Sequence, residues 1–426
     1  MFALSEKDKL HVWHPFTQAK TAIAPLVITK AEGVWLFSED GKKYMDVNSS
    51  WWTNIHGHGN KYIADKIHEQ FLELDHVIFA GVTHPKAVEL SERILKLLNN
   101  DFQKVFFSDN GSTSVEVAIK MVYQYWFNKG VSKKRFLAIE GAYHGDIFGA
   151  MSVGQRGNFN QPFEHLFFDV DFIPFPTSEN ENDVLKSIDA LFQTGEFAGF
   201  IFEPLIQGAA GMRIYSANFL DKAIQLAKKH QVLTIADEVM TGFYRTGTAF
   251  AINQIQSKPD IICLSKGLTG GVLPLGLTVS TNEIYNAFLA DETAKALLHG
   301  HSFTGNALAC ASACASLDLL LSDDTLNAVQ RITKSHQKFV LGHKNNPVFD
   351  SINSLGTILS VSLKTGEGNS YFQQIRDQAY QYFLSNGFLI RPLGNVVFVN
   401  PPYCITDVEL ESVYKVILDF GATLKN

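Results

Sequence analysis

An acid and an amine stand at the ends of two apolar segments. Val232 to Ala236 runs into Asp237 and Glu238, and Ile261 to Leu264 runs into Ser265, Lys266 and Gly267. Short aliphatic and β-branched runs bounded by turn residues predict fully covered parallel strands. Ligands of open α/β sheets bind beyond the carboxyl ends of such strands. Asp237 and Lys266 are therefore candidates for one site, with a fixed negative charge and a nucleophilic amine.

Two further segments supply complementary chemistry. Ser108-Asp109-Asn110-Gly111-Ser112-Thr113 lies between a predicted strand and a predicted helix. Glycine lets the backbone approach a ligand, and unpaired N–H groups at a helix start attract an anion, so Gly111 and Ser112 form a candidate phosphate seat. Taken alone, the segment also reads as an ordinary helix cap. It matches neither the P-loop, which needs a lysine, nor the GxGxxG dinucleotide fingerprint. Tyr143, at the end of the next strand, offers a ring for stacking on a planar ligand. An anion seat, an aromatic plate, a carboxylate and a lysine at strand ends of one sheet are the contacts that pyridoxal 5′-phosphate requires.

The elements that position these groups alternate. Strands are predicted at Val105–Phe107, Phe136–Ile139, Phe200–Phe202, Val232–Ala236, Ile261–Leu264 and Leu275–Ser280. A helix is predicted from Thr113 to about Phe127, with Val117, Met121, Val122 and Tyr125 on one face. The fold class is α/β, a mostly parallel sheet flanked by helices. Before it, Lys61 to Leu98 is predicted helical with a break at Thr83-His84-Pro85. The 29 residues separating Asp237 from Lys266 suit one crossover between neighbouring strands. Helix Asn306–Leu321 carries Cys310 and Cys314 one turn apart, as core filler.

The ends of the chain read differently. Gly33–Ser38 and Lys43–Val47 predict a hairpin, and Asn48 to Gly59, with adjacent Trp51 and Trp52, predicts a loop that presents aromatic surface. His56 and His58 lack the acids or cysteines of a metal site. Beyond Ser322 an α+β pattern follows: a helix to about Leu341, a strand at Thr357–Leu363, a helix near Tyr371–Leu384, strands at Phe388–Arg391 and Val396–Val399, and a final helix. The expected division is residues 1–60 as the N-terminal part of a small domain, 61–321 as a large domain, and 322–426 as the rest of the small domain.

Composition narrows the function. The chain has 36 lysines and arginines against 43 acids, a formal charge of −7, which disfavours nucleic acid and anionic membranes as partners. No apolar run is long enough to span a bilayer, and Met1 to Pro15 does not read as a secretory signal. Four cysteines without a CxxC pair suggest neither zinc nor a disulfide framework, so a cytoplasmic location is expected.

IADEVMTGFYRTG followed by LSKGLTGG resembles the signature of the class III, fold-type I, pyridoxal-phosphate-dependent aminotransferases, and the resemblance covers nearly the whole chain. HVWHPF, SSWW with IHGHGN, FSDNGSTSVEVAIKM, GAYHGDIFGAMSVG, FEPLIQGAAGM, HGHSFTGNALAC and IRPLGNVVFVNPPY are most similar to one branch. That branch converts 8-amino-7-oxononanoate to 7,8-diaminononanoate in biotin biosynthesis, usually with S-adenosylmethionine as amino donor. The resemblance implies that Lys266 carries the cofactor and shuttles the proton. It implies that Asp237 holds the ring nitrogen, Gly111 and Ser112 take the phosphate, and Tyr143 stacks on the ring. His301 and Ser302 match a segment that reaches the cofactor phosphate of a second subunit, which implies a homodimer with shared sites. Trp51, Tyr143, Lys266, Gly300 and Arg391 match substrate contacts, with Arg391 suited to a carboxylate.

Three positions depart from the common pattern. Phe16 stands where a tyrosine takes part in donor recognition, a loss of roughly 1 kcal/mol of hydrogen bonding; lysine, the donor in some relatives, is then an alternative. Ser302 replaces a threonine and keeps the hydroxyl. Met240 stands where many class III enzymes carry glutamine, as is usual in this branch. The competing reading is an ω-amino-acid or diamine aminotransferase of the same class.

Overall fold

The computed structural model describes residues 4–364 and 374–424. Its centre is a seven-stranded sheet in the order Lys104–Ser108, Gly276–Ser280, Ile261–Leu264, Leu233–Asp237, Phe197–Phe202, Arg135–Ile139, Val170–Ile173. Gly276–Ser280 runs antiparallel to both neighbours, and the remaining pairs are parallel. Its position beside the Ile261–Leu264 strand needs only a short return through Gly270 and Gly271, so no crossover helix intervenes.

Alternation along these strands explains why they read as continuous apolar runs. Phe136, Ala138, Leu233, Ile235, Ile261 and Cys263 pack on one face against Val115, Val117, Ala118 and Val122 of helix Gly111–Asn128. Leu137, Ile139, Phe200, Phe202, Ala236, Ile262 and Leu264 pack on the other, against helices Glu181–Gln193 and Ala217–Lys229 among others. Both faces are covered, so both sets must be apolar. Each fully buried Ile, Leu or Phe contributes roughly 1.5–3 kcal/mol.

One smaller sheet joins the two ends of the chain, and another belongs to its C-terminal part alone. Phe388–Leu389 adds in parallel to Lys43–Asp46, beside the strands Trp35–Ser38 and Ile28–Glu32. Phe349–Leu355, Ile358–Leu363 and Val396–Val399 form an antiparallel sheet, packed with helices Asp323–His343 and Asp407–Thr423. The strands at Val170–Ile173 and Phe349–Leu355 were not anticipated. The first is a four-residue edge strand interrupted by Asp171, and the second, FDSINSL, is mostly polar. The helix expected near Tyr371–Leu384 is found at Gln374–Ser385, and residues 371–373 lie outside the described residues. Among the described residues no helix is long and apolar enough to cross a membrane.

Candidate active site

Asp237 and Lys266 line one cavity of about 430 Å³ at the carboxyl ends of the central strands, together with Gly111, Ser112, Tyr143 and Trp51. Their strands are adjacent and parallel, with Asp237 opposite Cys263. Alternation at the strand end separates the two acids. Asp237 borders the cavity, whereas Glu238 turns inward and accepts from Thr241 Oγ1 and the Ala251 and Ile252 N–H groups. Glu238 thus ties down the loop after the strand.

Lys266 opens a 3₁₀ turn with φ of +49°, a left-handed conformation rarely adopted by a side chain of this size. Desolvation pulls its ammonium down to about 8, against the charges of Asp237 and Glu203, which push it up. A minor fraction of the amine, far larger than for an ordinary lysine, is therefore neutral, and nucleophilic, near neutral pH. Its Nζ lies 4.6 Å from the centroid of the Trp52 ring.

The anion seat is built from backbone. Asn110 caps helix Gly111–Asn128, accepting from the Thr113 N–H at 2.9 Å, while Thr113 Oγ1 accepts from the Asn110 N–H. Among the described residues no protein acceptor serves the Gly111 and Ser112 N–H groups, which leaves them for a ligand. The glycines here are required by space. A Cβ at Gly111 would lie 2.6 Å from Val239 Cγ1, and one at Gly145, where φ is +132°, would lie 2.1 Å from Ser112 Oγ.

Sequence reasoning missed two residues of this site. His144 Nδ1 lies 2.7 Å from Asp237 Oδ2, with the imidazole fully buried and Asp237 only 5% exposed. Nδ1 must carry the donated proton, because a carboxylate only accepts. The second Asp237 oxygen accepts from the Val239 N–H at 3.1 Å. Glu203 follows the Phe197–Phe202 strand, lines the cavity and accepts from the Tyr143 and Gly208 N–H groups. Burial pushes its carboxyl up to about 7. For Glu203 the available signal was position, since it directly follows a strand of the sheet, whereas His144 sits in the loop beyond the Arg135–Ile139 strand and carries no such signal. Tyr143 itself donates to Asp146 Oδ2 at 2.8 Å.

Aromatic rings make one wall. Trp51 and Trp52 stack at 5.1 Å and 24°, Trp52 packs on Phe398, and Arg391 Cζ lies 5.7 Å from the Trp51 centroid. Arg391 has no acidic partner among the described residues, and its N–H donates to Asn48 Oδ1 at 2.7 Å. The expected loop at 48–59 begins as something more specific. Ser49 to Trp52 form a left-handed turn with φ between 45° and 72°, which costs roughly 1–2 kcal/mol per residue. His56 and His58 are used structurally, on Ser316 and Asp46 respectively.

Gly300, His301, Ser302 and Phe16 do not line the cavity of this chain, and neither does Arg391. Gly300 and Ser302 are exposed, while the His301 ring accepts from the Phe303 N–H and keeps a buried Nε2 without a partner among the described residues. Phe16 is 61% exposed and meets Phe159 edge-on at 6.2 Å. Met240 lines the cavity beside Trp52.

The model of class-III aminotransferases matches residues 16–420. An adenosylmethionine-8-amino-7-oxononanoate aminotransferase of Synechococcus elongatus is 43% identical over 417 residues, 96% of this chain and 98% of its own length. The crystal structure of the enzyme of that name from Methanocaldococcus jannaschii superposes with a TM-score of 0.92 at 34% identity, covering 98% of each chain. A PLP-bound amine transaminase from an uncultivated Pseudomonas species is 26% identical, with a TM-score of 0.87 over 95% of this chain and 96% of its own. A cavity that joins a desolvated lysine, a buried acid and an anion seat thus comes with full-length likeness in sequence and fold: the chain belongs to the class-III aminotransferases.

Proposed function

We propose that the chain transfers an amino group to 8-amino-7-oxononanoate, yielding 7,8-diaminononanoate in biotin biosynthesis, with S-adenosylmethionine as donor and pyridoxal 5′-phosphate as cofactor. The observation that carries this reading is the single cavity in which Lys266, Asp237, the Gly111–Ser112 seat and Tyr143 converge, with Arg391 beyond the Trp51–Trp52 wall. The residues fit the cofactor: the unpaired N–H groups suit its phosphate, and the carboxylate and amine suit its ring nitrogen and carbonyl. When bound, the cofactor supplies an electron sink for the carbanion formed at the substrate carbon.

The residues of the chain do the rest. Asp237, held by His144 and the Val239 N–H, keeps a negative charge in a water-poor site. A cation at about 4 Å from it would gain roughly 4 kcal/mol at an effective dielectric of 20. Lys266 Nζ, neutral in part near pH 7, accepts the proton from the substrate carbon and later returns it. Glu203 fixes the Tyr143 main chain, so that the ring is presented at a set depth. Arg391 is available to pair with the carboxylate of the acceptor by a two-point hydrogen bond, and the two indoles line its apolar chain.

The reading includes a cytoplasmic homodimer with shared sites. Support for the shared site comes from Gly300 to Ser302, which lie outside the cavity of their own chain next to exposed Leu298 and Phe303. All four cysteines are free thiols, which suits a reducing compartment. The test is a half-reaction: cofactor-loaded protein is mixed with S-adenosylmethionine or with lysine, and bleaching of the cofactor band is followed. Bleaching by S-adenosylmethionine, with 8-amino-7-oxononanoate restoring the band, is expected. Bleaching by lysine alone would reassign the donor, and restoration only by 4-aminobutyrate-type keto acids would refute the acceptor.

A further inference from the structure

The left-handed turn at Ser49–Trp52 is the least expected backbone near the cavity. Four consecutive non-glycine residues have φ of 48°, 45°, 72° and 71°. L-residues visit this region singly, and a run of four persists only where the surroundings over-determine it. Those surroundings converge on one carboxylate. Asp46 is 1% exposed. Its Oδ1 accepts from the Ser50 N–H at 3.0 Å, and its Oδ2 accepts from Ser50 Oγ at 2.7 Å. Oδ2 also lies 2.9 Å from His58 Nε2. Asn54 Nδ2 donates to His58 Nδ1 at 3.1 Å, so Nε2 is the ring nitrogen that carries a proton for Asp46. Ser49 Oγ and Asn48 Nδ2 anchor the flanks on the Asn400 and Phe398 carbonyls.

What this frame holds is the aromatic wall. The two residues completing the turn are the stacked Trp51 and Trp52, with Lys266 Nζ over the Trp52 ring and Arg391 Cζ over the Trp51 ring. Asn48, at the start of the turn, also accepts from the Arg391 N–H. An ordinary right-handed or extended path through Ser50 would point the indoles elsewhere and break the row from amine to guanidinium.

We propose that Asp46 is a positioning residue for the amino acceptor: by locking Ser50 in the left-handed region, it sets the Trp51–Trp52 stack that an acceptor must slide along to bring its carboxylate to Arg391. The role of Arg391 in this statement rests on the proposed function, whereas the link from Asp46 to the indole stack does not.

Two readouts separate these layers. Stacked indoles give an exciton couplet in the far-ultraviolet circular dichroism, measurable on cofactor-free protein and assigned by its loss in Trp51→Phe. Asp46→Asn keeps the shape but turns one acceptor oxygen into a donor, facing donors from Ser50 and His58. It should lose more than half of the couplet and raise the acceptor KM at least tenfold, with kcat falling less than threefold. Glycine adopts positive φ freely, so adding Ser50→Gly to Asp46→Asn should recover most of the couplet and bring KM within threefold of the parent. A general loosening of the fold would not be rescued in this way. Should Asp46→Asn fail to fold, Ser50→Ala decides, with a weaker couplet and a KM raised about threefold expected. Parental couplet and KM, within error, in whichever of the two variants folds would overturn the proposal, as would a loss of kcat as large as the rise in KM. If the parent protein does not accept 8-amino-7-oxononanoate, the proposed reaction fails, and the couplet still decides whether Asp46 sets the stack.

Discussion

His144 offers the sharpest test of how the site works, because its effect should vanish when its partner is changed. His144→Phe keeps a ring of similar size and removes the donor to Asp237 Oδ2. The bond is 2.7 Å long between side chains that are 0% and 5% exposed, so water cannot replace it. A hydrogen bond to a charged group contributes about 1.5–3 kcal/mol, and at 1.36 kcal/mol per decade its loss should lower kcat/KM about 10- to 150-fold. Asp237→Asn removes the charge itself. The roughly 4 kcal/mol expected for a unit charge at about 4 Å predicts a loss near a thousandfold. In that background His144 has no anion to hold, and His144→Phe should cost less than about 0.5 kcal/mol further. The coupling, measured from kcat/KM of the four proteins under subsaturating acceptor, should therefore exceed about 1 kcal/mol. Additivity within about 0.5 kcal/mol would show that His144 does not act through Asp237, and the reasoning would fail.

Three other outcomes follow from the same geometry. In cofactor-free protein, acylation of Lys266, located by peptide mass spectrometry, should rise with pH about a midpoint near 8 rather than near 10.5, since burial favours the neutral amine. Asp237 pushes that value up, so Asp237→Asn should move the midpoint lower; an upward move would contradict the assignment of causes. Gly111→Ala puts a Cβ 2.6 Å from Val239 Cγ1. An overpacking cost of about 1–3 kcal/mol should weaken cofactor binding about 5- to 150-fold in equilibrium dialysis, and adding Val239→Ala should restore most of it. Arg391→Ala should raise the KM for 8-amino-7-oxononanoate about tenfold and leave the donor half-reaction alone, and Arg391→Lys, which keeps the charge without the fork, should fall between. An unchanged KM in Arg391→Ala would place the carboxylate elsewhere.

The legible parts of this molecule are those where one physical constraint acts on neighbouring residues. Strands covered on both faces must be apolar throughout, so Leu233–Asp237 and Ile261–Leu264 stood out, and with them the acid and the amine at their ends. The strand at Val170–Ile173 escaped because it lies at an edge and tolerates Asp171, which pairs with Arg135 across the strand pair. His144 escaped for a different reason. Its partner is 93 residues away, and nothing in Tyr143-His144-Gly145 indicates which of two adjacent side chains enters the buried layer under Asp237.

The Asn48–Gly59 segment shows where such reading reaches its limit. Polar residues and two tryptophans among glycines correctly indicated neither a regular helix nor a regular strand. Handedness is another matter. Nothing in Ser-Ser-Trp-Trp favours positive φ, and each residue alone prefers the opposite. The preference is overridden from outside the segment, by the Asp46 carboxylate, by carbonyls of Phe398 and Asn400 some 350 residues away, and by the burial of Trp52 against Phe398. Local rules therefore fail here for the same reason that the wall can be held in place. A turn that would relax if left to itself stays strained because the two ends of the chain meet beneath it, and the same meeting brings Arg391 alongside Trp51.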